Sequence, residues 1–252
     1  MQYTVTHNQP LTQTVYRLTL AGDTRAISRP GQFVQVAVPG YYLRRPISVY
    51  DWHTAENGTL TLVYKTLGHG TEAMSRLQPG QTLDVLPGLG NGYDTLTNPD
   101  AAKANAPLLL GRSVGVPPLY VLAKQLLSQG KTPSAVLGFN TQSDVILHAD
   151  FEALGIPTLV ATVDGTAGTK GFVTDAAQRM GAFDYVYTCG PEPMLKAVYR
   201  LCEQRGISGQ FSFEERMACG FGACMGCSCQ TKYGSKRICK DGPVLTREEI
   251  VW

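Results

Sequence analysis

Cys219-Gly-Phe-Gly-Ala-Cys224-Met-Gly-Cys227, continued by Cys229 and Cys239, is the stretch of this sequence that most narrows its fold. These five cysteines are among seven in the chain. A segment so rich in cysteine and glycine has little apolar content of its own, so a bound metal centre has to supply much of its stability. In a reducing compartment, where disulfides are rare, such a group of thiols indicates metal or iron–sulfur binding.

Four of these cysteines have the spacing C-x4-C-x2-C-x11-C, which begins with the intervals typical of a [2Fe-2S] cluster. The loop has to wrap closely round an inorganic core, with backbone N–H groups pointing at the sulfur atoms. Gly220, Gly222 and Gly226 permit that close approach and the unusual φ angles that it needs. We therefore predict four cluster ligands, namely Cys219, Cys224, Cys227 and Cys239.

A zinc knuckle is the alternative interpretation, but zinc sites usually present paired C-x2-C units, and the order of spacings here fits them poorly. Cys229 lies two residues after Cys227 and competes with it as a ligand; the spacing favours Cys227 and leaves Cys229 as a spare buried thiol. Cys202 falls on the apolar face of a predicted helix, which predicts an ordinary core thiol.

Length and composition limit the number of domains and the class of protein. The chain has 252 residues, enough for one large or two small domains with a small appended module. Its hydrophobic content of 43% and charged content of 17% are typical of a folded globular protein. The net charge of +2 gives no reason to expect nucleic-acid binding. No apolar run approaches the roughly 20 residues of a membrane span. Met1–His7 lacks the pattern of a signal peptide, so we expect a cytoplasmic protein.

The first part of the chain, residues 1–98, has the pattern of antiparallel β structure. Val34, Val36 and Val38 alternate with Gln35 and Ala37, as in a half-buried strand. Asn57-Gly58 lies between the strand-like runs Ile47–Trp52 and Thr59–Lys65, which predicts a type I′ hairpin turn. A short helix is predicted over Thr71–Leu77. Short strands with frequent turn signals indicate a barrel or a sandwich.

The middle of the chain alternates strands and helices, which predicts a parallel α/β sheet. Thr95–Ala106 shows little apolar pattern and is predicted to be a linker. The predicted strands are Leu108–Leu110, Ser134–Phe139, Pro157–Thr162 and Tyr185–Tyr187, and the predicted helices are Pro117–Gln129, Phe172–Met180 and Pro193–Arg205. We therefore expect a β-barrel domain (1–98), a nucleotide-binding α/β domain (99–208) and a [2Fe-2S] module (209–252).

Two short motifs in the barrel suit one diphosphate. Arg45-Pro46-Ile47-Ser48 places a guanidinium on a strand, where it can fork onto a pyrophosphate. Gly68-His69-Gly70-Thr71 opens the short helix, where free backbone N–H groups attract anions. The plainer interpretations are a solvated arginine and an ordinary helix cap in which Thr71 is the N-cap.

Several segments resemble the FAD motifs of the ferredoxin reductase superfamily: Arg45-Pro-Ile-Ser48, Leu62-Val-Tyr-Lys65 and Gly68-His-Gly-Thr71. Others run in order along nearly the whole chain and narrow the resemblance: Pro87-Gly-Leu-Gly90-Asn-Gly92, Gly115-Val-Pro-Pro118-Leu-Tyr120, Asp164-Gly165, Gly168-Thr-Lys-Gly171, Thr188-Cys-Gly-Pro-Glu-Pro-Met194 and Glu214-Glu-Arg-Met-Ala-Cys219-Gly. Together they are similar to the electron-transfer subunit of the B form of dihydroorotate dehydrogenase.

That resemblance implies FAD on the barrel, a [2Fe-2S] cluster on the four cysteines, and NAD as electron acceptor or donor. It implies a partner subunit that carries FMN and oxidises dihydroorotate to orotate in pyrimidine biosynthesis, within a heterotetramer of two subunits of each kind. Electrons would run from the partner's FMN through the cluster and FAD to NAD+. The residues that it implies for FAD are Arg45, Pro46, Ile47, Ser48, Leu62, Val63, Tyr64, His69, Gly70 and Thr71.

Nucleotides bind at the carboxyl ends of parallel strands, where Gly111, Gly115 and Gly190 fall. The related sequences usually have more glycine in the first loop, whereas this chain has Arg112 and Ser113. These side chains either obstruct a pyrophosphate or, through Arg112, bind it. No basic residue occurs in Asn140-Thr-Gln-Ser-Asp144 after the second strand, which favours NAD over NADP.

Cys189 has two interpretations. The resemblance places it near the nicotinamide and the flavin ring, as a candidate catalytic residue, whereas the plain interpretation is a small buried residue at a strand end. No acid–base pair in the chain suggests that it handles dihydroorotate itself.

Two rival functions remain at this point. A related FAD and [2Fe-2S] reductase subunit could serve a hydrogenase or a sulfide dehydrogenase, and the co-purifying partner would distinguish it. A non-catalytic, zinc-stabilised interaction protein would be colourless and would contain no flavin.

Overall fold

Six antiparallel strands close into a barrel in the order β1-β2-β5-β4-β3-β6. The structure is a computed structural model that describes residues 1–252. The barrel elements are β1 (Gln2–Pro10), β2 (Val15–Gly22), β3 (Phe33–Val36), β4 (Arg45–His53), β5 (Gly58–Lys65), α1 (His69–Ser75) and β6 (Thr82–Leu89). Alternate residues of these strands point inward, as Leu60, Leu62 and Tyr64 of β5 do, and form one apolar core. The predicted barrel is therefore confirmed.

The predicted Asn57-Gly58 turn is wrong in its geometry. His53 of β4 pairs with Thr59 of β5, so the connection is longer than a two-residue turn, and neither Asn57 nor Gly58 has a positive φ. Glycine is needed at 58 for a different reason. A Cβ there would overlap the carbonyl oxygen of His53 and the hydroxyl of Thr24. That hydroxyl donates to His53 O at 2.7 Å and accepts from Ala55 N at 3.0 Å.

The second body is a seven-stranded sheet in the order β10-β9-β8-β7-β11-β12-β15. Its elements are α2 (Pro99–Lys103), β7 (Pro107–Arg112), α3 (Pro117–Ser128), β8 (Ser134–Phe139), α4 (His148–Ala153), β9 (Thr158–Thr162), β10 (Thr169–Lys170), α5 (Val173–Ala177), β11 (Tyr185–Cys189), α6 (Glu192–Arg205), β12 (Ser208–Ser212) and, from the end of the chain, β15 (Val244–Thr246). Single 3-10 turns cover Ser113–Gly115, Gln142–Asp144 and Arg247–Glu249. All pairings are parallel except β12 with β15, so the predicted α/β sheet is confirmed as a mixed one.

The predicted linker over Thr95–Ala106 contains helix α2, so this prediction is wrong for residues 99–103. The Asn98 side chain caps it by accepting from Asp100 N and Ala101 N, and Pro99 occupies the first turn. Ala101 is fully buried. Alanine gives too weak an apolar signal to predict such a short helix, which tertiary packing stabilises.

The cysteine-rich segment is bound to both larger bodies. Its hairpin consists of β13 (Ser228–Thr231) and β14 (Gly234–Arg237), and β15 then joins the large sheet beside β12. On the barrel side, the Asn91 amide donates to Val244 O at 2.7 Å and accepts from Val244 N at 3.1 Å. The division into 1–98, 99–208 and 209–252 stays a proposal, since β12 and β15 lie in one sheet.

The barrel and the sheet meet along α3 and β4. The rings of Tyr50 and Tyr120 stack with centroids 4.6 Å apart, and the Tyr50 hydroxyl donates to Asp150 at 2.8 Å. Asp150 also accepts from Arg17 at 2.8 Å, and Lys124 pairs with Asp51 at 2.7 Å. These contacts fix the cleft in which the site lies.

None of the helices has the length and apolar character needed to cross a lipid bilayer.

Candidate functional site

A cavity of about 310 Å³ opens where the barrel, the sheet and the cysteine-rich segment meet. Seven of the residues predicted for the flavin line it: Arg45, Pro46, Ile47, Ser48, Val63, Tyr64 and Thr71. Strands β4 and β5 supply most of this wall because they are neighbours in the barrel. The structure therefore brings together residues of three predicted motifs, 45–48, 62–65 and 68–71.

Arg45 and Gly70 form the polar end of this cavity. The guanidinium lies so close over Gly70 that a Cβ on that glycine would stand 2.5 Å from Arg45 Cζ. Arg45 Nη1 also donates to the Leu43 carbonyl, which holds the side chain in place. The strand motif and the helix motif thus meet at one point, where the Arg45 guanidinium offers the forked donor that suits a pyrophosphate.

Thr71 acts inside the helix rather than before it. Gly68 is the N-cap of α1, so the expectation of Thr71 as N-cap is wrong. The Thr71 hydroxyl instead donates to Gly68 O at 3.0 Å and accepts from Leu67 N at 2.9 Å. These bonds fix the turn that presents Gly70 to Arg45.

Three other residues predicted for the flavin do not line the cavity with their side chains. Leu62 is fully buried in the barrel core. The His69 side chain is 89% exposed and lies near Glu72. Gly70 contributes its open face beneath Arg45. Leu62 could therefore contact a flavin only through its backbone, whereas the part of His69 in flavin binding stays a prediction.

The structure adds cavity residues that were not predicted to bind the flavin, although Lys65 ends the motif Leu62-Val-Tyr-Lys65. They are Phe33, Lys65, Leu67, Val114, Ser212, Phe213, Glu214, Glu215, Met217 and Pro243. Phe33 shows why they were missed, because an aromatic residue on an alternating strand predicts only a core position. Glu214–Met217 belongs to a segment that resembled the family, but nothing in its residue types predicted a cavity wall.

The four predicted ligands form two linked pairs. Cys219 Sγ accepts a hydrogen bond from Cys224 N at 3.5 Å, and Cys227 Sγ accepts one from Cys239 N at 3.3 Å. Two pairs suit a centre with two irons, each of which takes two thiolates.

Backbone N–H groups point at these sulfurs, as the [2Fe-2S] interpretation expects. Gly222 N donates to Cys239 Sγ at 3.1 Å. Burial acts to raise the pKa of the Cys219 thiol, but N–H groups of Cys224, Phe221 and Ala223 outweigh it and lower that pKa to about 6. The backbone around Cys219 therefore stabilises negative charge on that sulfur, whereas at Cys239 burial and the Cys227 thiol outweigh the Gly222 N–H group and raise the pKa to about 12.

The glycines of the loop match the expectation at two positions of three. Gly220 and Gly222 have φ angles of +78° and +88°. Gly226 has no positive φ, so that part of the prediction is wrong, and Met225 takes the left-handed conformation with φ +61°. A β-carbon at 226 would be 3.5 Å from Cys224 Sγ, which is an ordinary contact.

Arg237 closes the loop from the other side. Its Nη1 donates to Gly222 O at 3.0 Å, and its Nε pairs with Asp241 at 2.9 Å. Cys229 faces elsewhere, into a separate cavity that Leu245 and Trp252 also line. Burial raises the pKa of the Cys229 thiol. These placements favour Cys227 over Cys229 as the ligand.

The loops at the carboxyl ends of β7 and β11 touch each other. A Cβ on Gly115 would stand 2.6 Å from the Cys189 carbonyl carbon, and one on Gly190 would stand 2.7 Å from Met194 Cε. A Cβ on Gly111 would be 3.0 Å from Val116 Cα. These three glycines therefore allow close backbone packing; their contact with a nucleotide stays a prediction.

Arg112 and Ser113, which replace glycines usual in related sequences, shape the loop after β7. Ser113 adopts φ +53°, a conformation that glycine takes at lower cost. The Arg112 guanidinium donates to Asn140 Oδ1, after β8, at 2.7 Å. It lies on the border between a cavity of about 240 Å³ beside Ser113 and one of about 180 Å³ beside Phe172.

Cys189 lines the flavin cavity at the end of β11 and is buried. Burial, and then the nearby Glu214 carboxylate, raise the pKa of its thiol to about 12. A thiol with that pKa stays protonated at neutral pH. Its position fits both earlier interpretations, and its protonation argues against a thiolate nucleophile. Cys202 is fully buried on α6, as predicted.

A barrel cavity with an arginine at its polar end, a nucleotide-type sheet and a paired cysteine loop define the class as an iron–sulfur flavoprotein of the ferredoxin reductase fold. Residues 214–251 match the family model described as the iron–sulfur cluster binding domain of dihydroorotate dehydrogenase B. The zinc interpretation is not favoured by this match.

Relatives named "dihydroorotate dehydrogenase B (NAD(+)), electron transfer subunit" align with the whole chain. The one from Geobacillus sp. strain WCH70 is 42% identical over 261 residues, covering 99% of this chain and 98% of the relative. The one from Fusobacterium nucleatum is 40% identical, covering 98% of this chain and 96% of the relative. The chain belongs to this family of electron-transfer subunits.

Solved structures agree on the fold. The structure of an NADH-dependent reduced ferredoxin-NADP oxidoreductase is 30% identical with a TM-score of 0.85, covering 99% of this chain and 90% of that chain. The flavohaem-like FAD/NAD-binding domain of nitric oxide dioxygenase from Vibrio cholerae is 17% identical with a TM-score of 0.69, covering 82% of this chain and 93% of that chain. At that lower identity the likeness concerns the fold alone.

Proposed function

We propose that this chain relays electrons from a catalytic subunit, which carries FMN and oxidises dihydroorotate to orotate, through a [2Fe-2S] cluster and FAD to NAD+. The observation that carries the proposal is that one apolar cluster borders both sites. Phe33, which lines the flavin cavity, lies in the same apolar cluster as Cys227 and Cys239. A short gap filled with protein favours electron transfer between the two cofactors.

FAD exchanges electrons in pairs with a nicotinamide and singly with an iron–sulfur cluster, so it can join the two kinds of carrier. The chain's part is to hold it. Arg45 presents a forked donor beside Gly70 for the pyrophosphate, and Ser48 and Tyr64 line the wall for the ring. Phe213 and Pro243, from the far side of the cleft, exclude water from that wall.

The cysteine loop binds its cluster through Cys219, Cys224, Cys227 and Cys239. Backbone N–H groups at Gly222, Cys224 and Cys239 already donate to the ligand sulfurs. These donors are fixed by the loop's conformation, so they stabilise negative charge without rearranging when an electron arrives.

Arg112 is the residue that we assign to the pyrophosphate of NAD. It stands between two cavities, and a dinucleotide that filled both would have to pass it. Asn140 holds its guanidinium in that place. In this proposal Gly111, Gly115 and Gly190 allow the loops to approach the nucleotide, and Cys189 lies where the nicotinamide meets the flavin.

The partner would dock over the cysteine loop. Phe221 and Met225 of that loop are each more than half exposed, which is unusual for large apolar side chains beside a redox centre. We propose a heterotetramer of two subunits of each kind. All seven cysteines are free thiols, which suits the reducing cytoplasm and cluster ligation there.

The test is NAD+ reduction driven by dihydroorotate in the complex of this chain with its co-expressed catalytic subunit. Oxidation of dihydroorotate supplies two electrons and two protons, and NAD+ takes both electrons and one proton. We expect NADH to form with wild-type chain and to fall at least a hundredfold with Cys224→Ser, whereas Cys229→Ser retains the rate. Equal rates for wild type and Cys224→Ser would overturn the relay.

A further inference from the structure

Gln35 is a buried amide with nothing to bond to. It lies in the middle of β3, two residues after Phe33 and on the same side of that strand. The residue is 0% exposed, and both its Nε2 and its Oε1 lack a hydrogen-bond partner. No other glutamine in the structure leaves both amide atoms buried and unpaired.

The Gln35 amide lies against the cysteine loop. A Cβ on Gly220 would stand 2.6 Å from Gln35 Cγ and 2.9 Å from its Cδ, and Nε2 is the side-chain atom nearest to that point. Gly220 follows the ligand Cys219 directly and has φ +78°. The glycine therefore gives room for the amide and turns the loop beneath it.

Neighbouring buried glutamines show what a satisfied amide looks like in this fold. Gln32 accepts from Ser28 N at 2.8 Å and donates to Gly88 O at 3.2 Å and Gly90 O at 3.0 Å. Gln210 donates to the Tyr185 hydroxyl and accepts from Asp94 N. Burial of an amide without such partners is costly, so an unpaired one indicates a partner that is bound at that place.

We propose that Gln35 is a positioning residue for the [2Fe-2S] site, and that its Nε2–H donates to a sulfur atom of the cluster held by the Cys219 loop. The inference rests on the proposed function and deepens it. A donor at sulfur stabilises the reduced, more negative cluster and raises its reduction potential. Because Phe33 and Gln35 share one strand face, the same strand lines the flavin cavity and tunes the cluster.

The test is a redox titration of the intact complex, with the reduced cluster followed by electron paramagnetic resonance. In Gln35→Met we expect the equilibrium to shift about tenfold toward the oxidised cluster, which is a fall of about 59 mV for a one-electron couple. Gln35→Glu keeps the shape and places negative charge at the sulfur, so its potential should fall further.

Gln32→Met is the matched control. It removes a buried amide with a complete set of bonds on the same segment, so it should lower the urea midpoint of unfolding and leave the cluster potential unchanged. In cluster-free chain, Gln35→Met should raise the midpoint above that of wild type, because it replaces a buried, unpaired amide with an apolar side chain. A potential and spectrum unchanged in both Gln35 variants would contradict the proposal and would mean that a buried water is the partner.

Absence of the cluster and absence of a shift in its potential are distinguishable results. Wild-type chain that binds no cluster would overturn the proposed function. A normal cluster whose potential is the same in wild type, Gln35→Met and Gln35→Glu would overturn only the role of Gln35.

Discussion

At the scale of single residues, the cysteines of this chain differ in the surroundings of their thiols. Cys219 receives several backbone N–H groups, which lower its pKa to about 6, whereas burial raises the pKa of Cys189 and Cys202 to about 12. The lowered pKa is particular to Cys219, because burial and the neighbouring Cys227 thiol raise the pKa of the predicted ligand Cys239 to about 12.

Cys224→Ser should remove the cluster and leave the flavin, because a serine oxygen replaces one of the two thiolates of its pair. The measurement is iron content and flavin absorbance of the purified chain. Cys229→Ser is the matched control, since Cys229 faces a separate cavity, and it should keep both signals. The ligand assignment fails if Cys224→Ser retains a normal cluster spectrum.

Arg45→Ala should weaken flavin retention by roughly tenfold to a hundredfold, because a charged hydrogen bond contributes about 1.5–3 kcal/mol. The measurement is FAD affinity of deflavinated protein by fluorescence quenching. Arg44→Ala is a control of equal charge change, since Arg44 is occupied with Asp84 on the barrel surface. Equal losses in both variants would point to net charge instead of a specific contact.

At the scale of elements, α1 and β4 depend on each other through one glycine. The start of α1 is shaped by Thr71 and leaves Gly70 bare beneath the Arg45 guanidinium. The hairpin at Gly58 works by the same principle, because its glycine is selected by close packing and not by φ. A sequence pattern cannot separate these two uses of glycine, since both look like a turn signal.

Gly70→Ala should push the Arg45 guanidinium away and lower FAD affinity, while the helix itself gains stability from alanine. Gly68→Ala is the matched control two residues earlier: it has extended φ 176° and no atom within 4 Å of its Cβ position. We expect FAD affinity to fall several-fold in the first variant and to stay constant in the second. The same affinity in both would contradict the contact.

Gly58→Ala should destabilise the barrel by about 1–3 kcal/mol, as overpacking does. Its Cβ would overlap His53 O and Thr24 Oγ1. Gly181→Ala, which has open space and no positive φ, should stay within about 0.5 kcal/mol of wild type. Urea unfolding of both variants decides the point, and equal midpoints would refute the packing argument.

At the scale of the whole molecule, the sequence predicted the three parts and their order but not how they join. The cysteine spacing and the strand alternation are local patterns, so they were predictable. No local pattern encodes long-range contacts. These include the pairing of β15 with β12, the hydrogen bond from the Asn91 amide to Val244 and the approach of Gln35 to Gly220. Helix α2 was missed because its alanines carry too little signal.

The buried thiols also give the whole fold a pH dependence. The pKa of Cys202 is about 12 in the folded chain against about 8.5 for a free thiol, so the folded state keeps a proton that the unfolded state loses. Stability should therefore be unaffected below about pH 8.5 and fall as pH rises, by at most about 1.4 kcal/mol per unit for each such thiol. Cys202→Ala should flatten the decline in urea unfolding between pH 8.5 and 10.5; an unchanged slope would exclude Cys202 as its source.

We propose that one chain connects a nicotinamide to both a flavin and a [2Fe-2S] cluster. The most direct measurement is the anaerobic visible spectrum of the purified chain with its partner, before and after addition of NADH. We predict flavin bands with broad iron–sulfur absorbance, both bleached by NADH, and a slower bleach in Arg112→Ala. Flavin and cluster bands that NADH leaves unmoved would contradict the claim, because the cofactors would then be present without a route to the nicotinamide.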